Sequence, residues 1–337
     1  MRLPVRSKRH LLAVLALGLL LAPGTWLRSV MPDRYSADVT FAPMPFDGRE
    51  RGGLAVTGLW QLRGAGDNFG GYSAMVLYGT EAIRLFSDKG FLLTFPRPGV
   101  PHSDPIPIGS RQPYPTGIPL LDLLDIESAT MSPETGQYWV GYEARHTIYR
   151  YGADGTPEAN VEPVFARHWR KNGGIEALVR MRSGVFLAFR ETAPDLFRYQ
   201  GDPTQGAVPE RFAVAWPGDF HPTDAGELPD GRVLVLLRKV AWHLPPFESL
   251  LVMIDPGQLD QARPLPVTIL ARIEDRLPRD NWEALAVEPG ARTDQVGLWL
   301  ASDDNRSVMQ RSLLAQVRLS VPPRAAPQKQ GQEQHGP

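Results

Sequence analysis

The chain has 337 residues and a formal net charge of −1, with 42% hydrophobic and 22% charged residues. This composition supplies ample apolar material for a core and lacks the basic excess that is typical of a nucleic-acid-binding domain. The chain contains no cysteine, which excludes disulfides, thiolate nucleophiles and cysteine-based zinc sites.

The two ends of the chain differ from its middle. A basic start, Arg2–His10, precedes a run of 12 apolar residues, Leu11–Ala22. This run is short for a membrane span but has the length of the apolar region of a secretory signal. We therefore predict that residues 1–27 are a signal peptide or an uncleaved N-terminal anchor. The folded part is then periplasmic or extracellular, with membrane contact, if any, only through that segment. Residues 322–337, rich in Pro, Gln and Gly, are predicted to be a disordered tail.

The middle of the chain breaks into short apolar runs bounded by Gly, Pro, Asp or Asn. Four of them are VFLAF (185–189), RVLVLL (232–237), SLLVMID (249–255) and VGLWLAS (296–302). Runs of this length, rich in β-branched and aromatic residues, indicate strands. Trp139, Trp282 and Trp299 lie in or beside such runs, and we expect them in the core. No long helical periodicity interrupts the series, so an all-β fold is favoured.

Four segments repeat one plan: an acid, a pair of small or apolar residues, a turn, and a strand ending in a polar residue. Their leading acids stand 49, 48 and 59 residues apart, at Glu127, Glu176, Asp224 and Glu283. A period of about 50 with several short strands per unit is typical of four-stranded propeller blades. We therefore predict an all-β propeller over residues 38–321, with five or six four-stranded blades, six being favoured. Residues 52–60 and 82–90 are interpreted as a first blade that lacks the acid.

Acids at one repeat position converge around the channel of a propeller, because its innermost strands run side by side. The four leading acids are the candidate catalytic set. A second set at strand ends gives candidate metal ligands: Asp88, Glu143, Glu191, Asp303 and Asp304. Converging carboxylates repel unless a cation compensates them, and oxygen ligands without cysteine favour Ca²⁺ over zinc or copper. Alternatively, the leading acids accept hydrogen bonds from backbone N–H groups, and Asp303–Asn305 forms an Asx turn.

Basic residues beside these acids are candidate substrate-binding groups. The set comprises Lys89, Arg145, Arg238 and His221. The fork of an arginine suits phosphoryl oxygens, and His221, three residues before Asp224, is also a candidate for proton transfer. The alternative for the cations is ion pairing with the neighbouring acids.

The ordered series of motifs resembles the phytase-like domain family over roughly Gly52–Val317. The motifs are DIESA (125–129), GIEAL (174–178), PTDAGELPDGRVL (222–234), NWEAL (281–285) and SDDNRSVMQRSLL (302–314). The resemblance implies a propeller, an exported bacterial protein and an esterase-like activity of phytase type. The chain departs from the family pattern where Ser128, Ala177 and Ala284 follow the acid in place of glycine, and where Lys89 stands in place of arginine.

These observations together predict an exported hydrolase that cleaves phosphoester or ester bonds of a small molecule at an acidic, Ca²⁺-binding mouth. A non-catalytic binding or scaffold propeller of the cell envelope remains open, and so does a Ca²⁺-dependent lactonase-type propeller. The chain shows no G-x-S-x-G, H-E-x-x-H, P-loop or dinucleotide-binding motif, so a serine-esterase mechanism is disfavoured.

Overall fold

The computed structural model describes residues 39–64, 68–100, 124–170, 173–261, 263–290, 292–305, 307 and 310–324. The predicted signal or anchor segment, residues 1–27, lies outside the described residues, and so does most of the predicted tail. Within the described part, no helix is long and apolar enough to cross a membrane. The helices described there are single 3₁₀ turns at Val164–His168, Pro203–Gln205, Pro256–Gln258 and Ile273–Asp275.

The described residues form twenty strands. In chain order they are β1 (Thr40–Pro43), β2 (Leu54–Arg63), β3 (Tyr72–Tyr78), β4 (Ala82–Ser87), β5 (Leu92–Pro96), β6 (Ile126–Met131), β7 (Tyr138–Tyr142), β8 (Thr147–Tyr151), β9 (Pro157–Val161), β10 (Ile175–Arg180), β11 (Phe186–Arg190), β12 (Asp195–Tyr199), β13 (Pro209–Ala213), β14 (His221–Glu227), β15 (Val233–Val240), β16 (Phe247–Ile254), β17 (Thr268–Arg272), β18 (Trp282–Val287), β19 (Gln295–Ser302) and β20 (Leu313–Ser320).

The strands form five antiparallel sheets, each one blade of a β-propeller. Blade 1 is β3-β4-β5, blade 2 is β6 to β9, blade 3 is β10 to β13, blade 4 is β14 to β17, and blade 5 has the order β18-β19-β20-β2-β1. The innermost strands β3, β6, β10, β14 and β18 each contact the innermost strands of both neighbouring blades. These contacts close the ring around a central channel.

The prediction of a propeller is confirmed, but the favoured count of six blades is wrong. The segment interpreted as the start of a first blade forms β2, which pairs with β20 from the other end of the chain. Residues 52–60 therefore close blade 5, and the innermost strand of blade 1 is β3. The sequence pattern could not show this, because an apolar strand has the same periodicity whichever partner it finds.

The core consists of five apolar clusters, one between each pair of neighbouring blades. Trp282 lies between blades 4 and 5, Trp299 between blades 5 and 1, and Trp139 between blades 2 and 3. All three are buried, as expected, and each indole N–H donates to an oxygen acceptor. Burial between sheets thus holds the ring together while the strand ends stay available at its two faces.

Candidate functional site

Each innermost strand carries one β-bulge next to its first residues. A bulge residue is extra in the strand pairing, so its side chain is re-aimed relative to the regular pleat. The five bulge residues are Ser73, Glu127, Glu176, Thr223 and Glu283. Three of the four predicted catalytic acids therefore share one structural position around the channel. Asp224 is one residue beyond it.

The five bulge residues form one ring around the channel. A second ring of polar residues lies beside it, at the point in each blade where the second strand stops pairing with the innermost strand. These residues are Asp88, Glu143, Glu191, Arg238 and Asp303. In four of the blades the backbone N–H of this residue donates to the carbonyl two residues before the bulge, at 2.7 to 3.2 Å. In blade 4 the equivalent residues, Arg238 and His221, are paired in the strand ladder. The same backbone contact thus fixes both rings at one mouth of the channel.

Blades 2 and 3 bring five carboxyl groups together, which we call the acid half of the mouth. Carboxylate oxygens of Asp125, Glu127 and Glu143 lie within 4.8 Å of one another, and so do those of Glu143, Glu176 and Glu191. Glu143 belongs to both groups and is buried. Every donor in the two groups is an oxygen of a carboxylate.

The position of Glu143 depends on a glycine in the neighbouring blade. The backbone N–H of Gly174 donates to Glu143 Oε1 at 2.9 Å, and that of Gly173 donates to the same oxygen. A Cβ added to Gly174 would lie only 2.8 Å from Glu143 Cγ. The first residue of the GIEAL motif is therefore needed to let the carboxyl group approach the chain.

The surroundings of the acid half raise the pKa values of three of its carboxyl groups. Burial raises the pKa of Glu127 well above its usual value, and the charges of Glu176 and Glu283 add to this rise. Burial likewise raises the pKa of Glu176, with Glu191 and Glu143 as the next causes. Burial also raises the pKa of Glu143, although its two backbone donors oppose the rise. Like charges this close cannot all ionise unless a cation joins them.

Blades 4 and 5 form a different arrangement, which we call the arginine half. Arg238 forms an ion pair with Glu283 and donates to Asn281 Oδ1 at 2.6 Å. Asn281 Nδ2 in turn donates to Glu283 Oε1 at 2.9 Å. Burial lowers the pKa of Arg238, but the charges of Glu283, Glu176 and other nearby acids outweigh this and raise it. Burial raises the pKa of Glu283 all the same, and the charge of Arg238 opposes that rise. A guanidinium thus compensates part of the cost of the carboxyl group in this half.

Asp224 does not face the channel. Its Oδ2 accepts from the backbone N–H of Leu285 in blade 5 at 2.7 Å, and its Oδ1 accepts from the N–H of Ala225 at 2.8 Å. The residue after each bulge faces the next blade, as Ser128 does when it donates to the Ile175 carbonyl. Asp224 therefore matches the alternative made from sequence, an acid bound to backbone donors, and it links two blades.

The other predicted metal ligands lie around blades 5 and 1. Asp303 is buried, and its pKa is raised well above the usual value by burial and by Glu283 and Asp304. Asp304 accepts from the backbone N–H of Gly71 at 3.1 Å and from the Ser312 hydroxyl at 2.7 Å. Both acids lie at the mouth, but neither belongs to the two groups whose oxygens converge. Asp304 instead joins blade 5 to blade 1.

Asp88 and Lys89 follow the second strand of blade 1, at the same mouth. Asp88 Oδ1 accepts from the Ser87 hydroxyl at 3.1 Å, and its charge contributes to the raised pKa values of Glu283 and Asp303. The carbonyl of Asp88 accepts from the backbone N–H of Asp125 at 2.6 Å. Blade 1 is thereby tied to the acid half.

The remaining predicted cations separate into two groups. Arg145 is exposed and pairs with Glu162, which follows the outermost strand of blade 2, at 3.2 Å. This places Arg145 away from the channel, in agreement with the ion-pair alternative. His221 is exposed at the mouth, and its Nδ1 lies 2.9 Å from the carbonyl oxygen of Glu191. Because a carbonyl only accepts, this contact assigns the proton to Nδ1 and makes Nε2 the acceptor of the neutral ring.

Sequence reasoning missed two residues of the mouth. Asp125, with a positive φ of 67°, and Asn281 both stand two residues before a bulge. They could have been found by reading backward from the leading acids. His146, which follows Arg145 in the sequence and was considered with it for phosphate binding, is buried, and its Nδ1 has no hydrogen-bond partner. It adjoins Gly174, and no repeat pattern in the sequence marks it.

The donor set of the acid half fits Ca²⁺. Ca²⁺ takes six to eight oxygen ligands in flexible geometry and prefers carboxylates. The acid half supplies five carboxyl groups from two blades. Arg238 pairs with Glu283 in the other half and also approaches Glu191 of the acid half, at 4.0 Å. These residues suit a hard divalent cation.

The opposite end of the innermost strands is chemically different. A cavity of about 430 Å³ there is lined by the last residues of all five, among them Met75, Met131, Val179 and Val287. Its charged residues are paired, as Arg182 is with Glu227 at 3.3 Å and Glu288 is with Arg97 at 3.4 Å. The clustered acids therefore mark one face of the ring.

Fold and site together define an all-β propeller with an acidic mouth. The model of the family described as "Phytase-like: Esterase-like activity of phytase" matches residues 33–306. The chain belongs to this family. No curated protein matches it.

The solved structures that match the chain share little sequence with it. A luciferin-regenerating enzyme is 11% identical with a TM-score of 0.45, covering 86% of this chain and 92% of its own. The β-propeller domain of Myceliophteria thermophila Cps50 (Swd1) is 10% identical with a TM-score of 0.40, covering 80% of this chain and 100% of its own. YCF48 bound to a D1 peptide is 13% identical with a TM-score of 0.38, covering 88% of this chain and 99% of its own.

Proposed function

We propose that the protein is a Ca²⁺-dependent hydrolase of phosphoester bonds, or of related esters, that acts on a small molecule at the acidic mouth. The observation that carries this proposal is that two clusters, each of three carboxyl groups, share Glu143. Five acids held this close are costly without a cation, and membership of a family described by an esterase-like activity of phytase supports a hydrolytic use.

The residues that would hold the ion are those of the acid half: Asp125, Glu127, Glu143, Glu176 and Glu191. When bound there, Ca²⁺ supplies positive charge that neutralises substrate oxygens and polarises the bond to be cleaved. It also allows the five carboxyl groups to stay ionised at neutral pH. The ligands come from two blades, so their spacing depends on the packing between β6 and β10.

Arg238 and His221 supply the complementary roles. Arg238 is partly exposed, at 21% of its side chain, and its planar fork suits a phosphoryl oxygen. His221 stands at the same rim, and its Nε2 is the acceptor that a general base needs. We propose that Arg238 orients the substrate and that His221 accepts the proton of the attacking water, so that the P–O bond to the leaving group breaks as the new one forms.

The test is turnover of p-nitrophenyl phosphate and phytate by the purified protein, in Ca²⁺ and in a chelator. We expect Ca²⁺-dependent hydrolysis that Glu176→Gln abolishes. Glu210→Gln is the matched control, because Glu210 is 48% exposed in an ion pair on the outermost strand of blade 3. Equal rates in Ca²⁺ and in chelator, or equal rates of the two variants, would contradict the proposal.

A panel of lactones and carboxylic esters separates the two alternatives. Lactone hydrolysis without phosphatase activity favours the lactonase-type propeller. No turnover on either panel, together with saturable binding of a ligand, favours a non-catalytic binding or scaffold propeller.

We also propose that the protein works outside the cytoplasm, in the periplasm or the extracellular space. The basic start and the apolar run Leu11–Ala22 support this. Fractionation of the producing cells tests it, and recovery of the protein from the cytoplasm with Met1 intact contradicts it.

A further inference from the structure

Asn281 is a buried amide among the charged groups of the mouth. It stands two residues before a bulge, where the other blades have Gly71, Asp125, Gly174 and His221. Its side chain is fully buried, so its polar atoms can act only on other groups of the protein. Of the five residues at this position it alone carries a side-chain amide, which offers an acceptor and two donors.

The amide of Asn281 joins a cation to an anion. Its Oδ1 accepts from Arg238 Nη1 at 2.6 Å, and its Nδ2 donates to Glu283 Oε1 at 2.9 Å. The same Nη1 of Arg238 also donates to Glu283 Oε1. Because Nη1 carries two hydrogens, both are used by these two acceptors. Three side chains thus close a ring of hydrogen bonds that fixes the plane of the guanidinium.

The other edge of the Arg238 guanidinium, formed by Nε–H and Nη2–H, is available to a ligand. Within the part of the chain that the structure describes, neither nitrogen donates a hydrogen bond. Nη2 lies 4.0 Å from Glu191 Oε1, which is beyond hydrogen-bond distance. The available edge therefore lies on the side of the acid half, and the side chain is partly exposed there.

Two parallel N–H donors select a ligand by the number of oxygens that it presents. A phosphoryl group presents two anionic oxygens whose spacing matches the fork of an arginine. The carbonyl of a carboxylic ester or a lactone presents one oxygen, so it leaves one buried donor unpaired, which costs binding free energy. The available edge of Arg238 therefore favours phosphoesters over the other esters considered above.

We propose that Asn281 is a positioning residue that presents the Nε–Nη2 edge of Arg238 to one phosphoryl group of the substrate, and that this edge makes the mouth selective for phosphoesters. The inference rests on the proposed function, because it names the part of that substrate which Arg238 binds. Asn281 acts through Arg238 and does not touch the substrate. Without the amide, Nη1 loses one of its two acceptors, and the guanidinium is free to turn from Glu283 toward Glu191.

The test is calorimetric titration of the full-length protein with inorganic phosphate, in Ca²⁺ and below the solubility limit of calcium phosphate. We expect Asn281→Ala to bind phosphate at least about tenfold more weakly, which corresponds to roughly one charge-assisted hydrogen bond. Asn160→Ala is the matched control, because it removes the same amide from an exposed position on β9, and it is expected to bind as the wild type does. Wild-type affinity in Asn281→Ala would overturn the proposal, as would no phosphate binding by the wild type.

A second pair of variants reports whether Asn281 acts through Arg238. Arg238→Lys keeps the positive charge and removes the fork, so we expect it to bind phosphate about tenfold more weakly. Asn281→Ala/Arg238→Lys is expected to bind no more weakly than Arg238→Lys alone, because the two residues act as one unit. Additive losses would overturn the positioning role. Wild-type affinity in Arg238→Lys would overturn the role of the fork, and this measurement holds even if Asn281→Ala does not fold.

Turnover separates this inference from the hydrolase proposal. With p-nitrophenyl phosphate we expect Asn281→Ala to raise KM with a smaller fall in kcat, whereas a loss of folded protein alone lowers the apparent kcat and leaves KM unchanged. Ca²⁺-dependent phosphatase activity with an unchanged KM in Asn281→Ala would overturn the inference and leave the hydrolase proposal standing. Phosphate binding that depends on Asn281, in a protein without turnover, would contradict the hydrolase proposal and support the phosphoryl site.

Discussion

The two halves of the mouth hold equivalent carboxyl groups in opposite ways. In the acid half, Glu127 and Glu176 face further acids at the second-strand position, Glu143 and Glu191. In the arginine half, Glu283 meets Arg238, which comes from that same second-strand position in blade 4. One change of residue type at a repeated position therefore decides whether a bulge acid is already neutralised or is left for a cation. The repeat places equivalent side chains at one mouth. Arg238, which is not an acid like the other members of its ring, makes the two halves chemically different.

The largest expected effect comes from removing the cation of the arginine half. Arg238→Gln leaves Glu283 buried without its partner, so we expect the free energy of unfolding to fall by about 3 kcal/mol. Chemical denaturation measures this fall. Arg238→Gln/Glu283→Gln is expected to recover most of the loss, because it removes both charges. If Arg238→Gln alone is as stable as the wild type, the two halves do not differ as described.

Ca²⁺ is expected to act on the acid half alone. At a hundred times its dissociation constant, Ca²⁺ should stabilise the fold by about 2.7 kcal/mol and raise Tm by about 5 °C. We expect Glu176→Gln to lose this shift, whereas Arg238→Gln keeps it. Differential scanning fluorimetry measures the Tm of both variants. If the Ca²⁺-induced shift of Tm is unchanged in Glu176→Gln, the ion does not bind in the acid half.

The pH dependence of stability follows from the raised pKa values of Glu127, Glu143 and Glu176. An acid whose pKa is higher in the folded state than in the unfolded state stabilises the fold only while protonated. That contribution is complete below the unfolded value near 4.5 and is lost as pH rises toward the folded value, by about 1.4 kcal/mol per unit for each group. In chelator we therefore expect stability to decline as pH rises above about 4.5.

Ca²⁺ should flatten that decline, since it replaces the protons. Denaturation at a series of pH values, with and without the ion, measures the slope, and Glu176→Gln is expected to reduce it in chelator. Stability in chelator that rises steadily from pH 5 to pH 8 would contradict the account of the acid half.

The smallest effect is expected at Asp304. Because it accepts from Gly71 and Ser312, Asp304→Asn should cost about 1 kcal/mol and leave the Ca²⁺-induced shift of Tm unchanged. Thermal unfolding in both conditions checks this. If Asp304→Asn lost the Ca²⁺-induced shift of Tm, the cation site would include blade 5, and the mouth would not be divided into the two halves described.

The repeat read from the sequence aligned most of the acids that meet at the mouth, and its one misalignment, at Asp224, has a structural cause. Glu127, Glu176 and Glu283 were aligned correctly because each precedes a small residue and a regular strand. Asp224 was aligned with them because it is the acid of its segment, yet the bulge falls on Thr223. A bulge is defined by strand pairing, which a pattern of residue types does not record.

The amino-acid sequence by itself determined the all-β class, the repeated blade and most of the acids that reach one mouth, since period, strand propensity and turn residues are local properties. The tertiary structure decided the number of blades, the closure of blade 5 by β2, and the separation of the acid half from the arginine half. Each of these depends on contacts between segments far apart in the chain, and the energies of burial and charge interaction exist only once those segments meet.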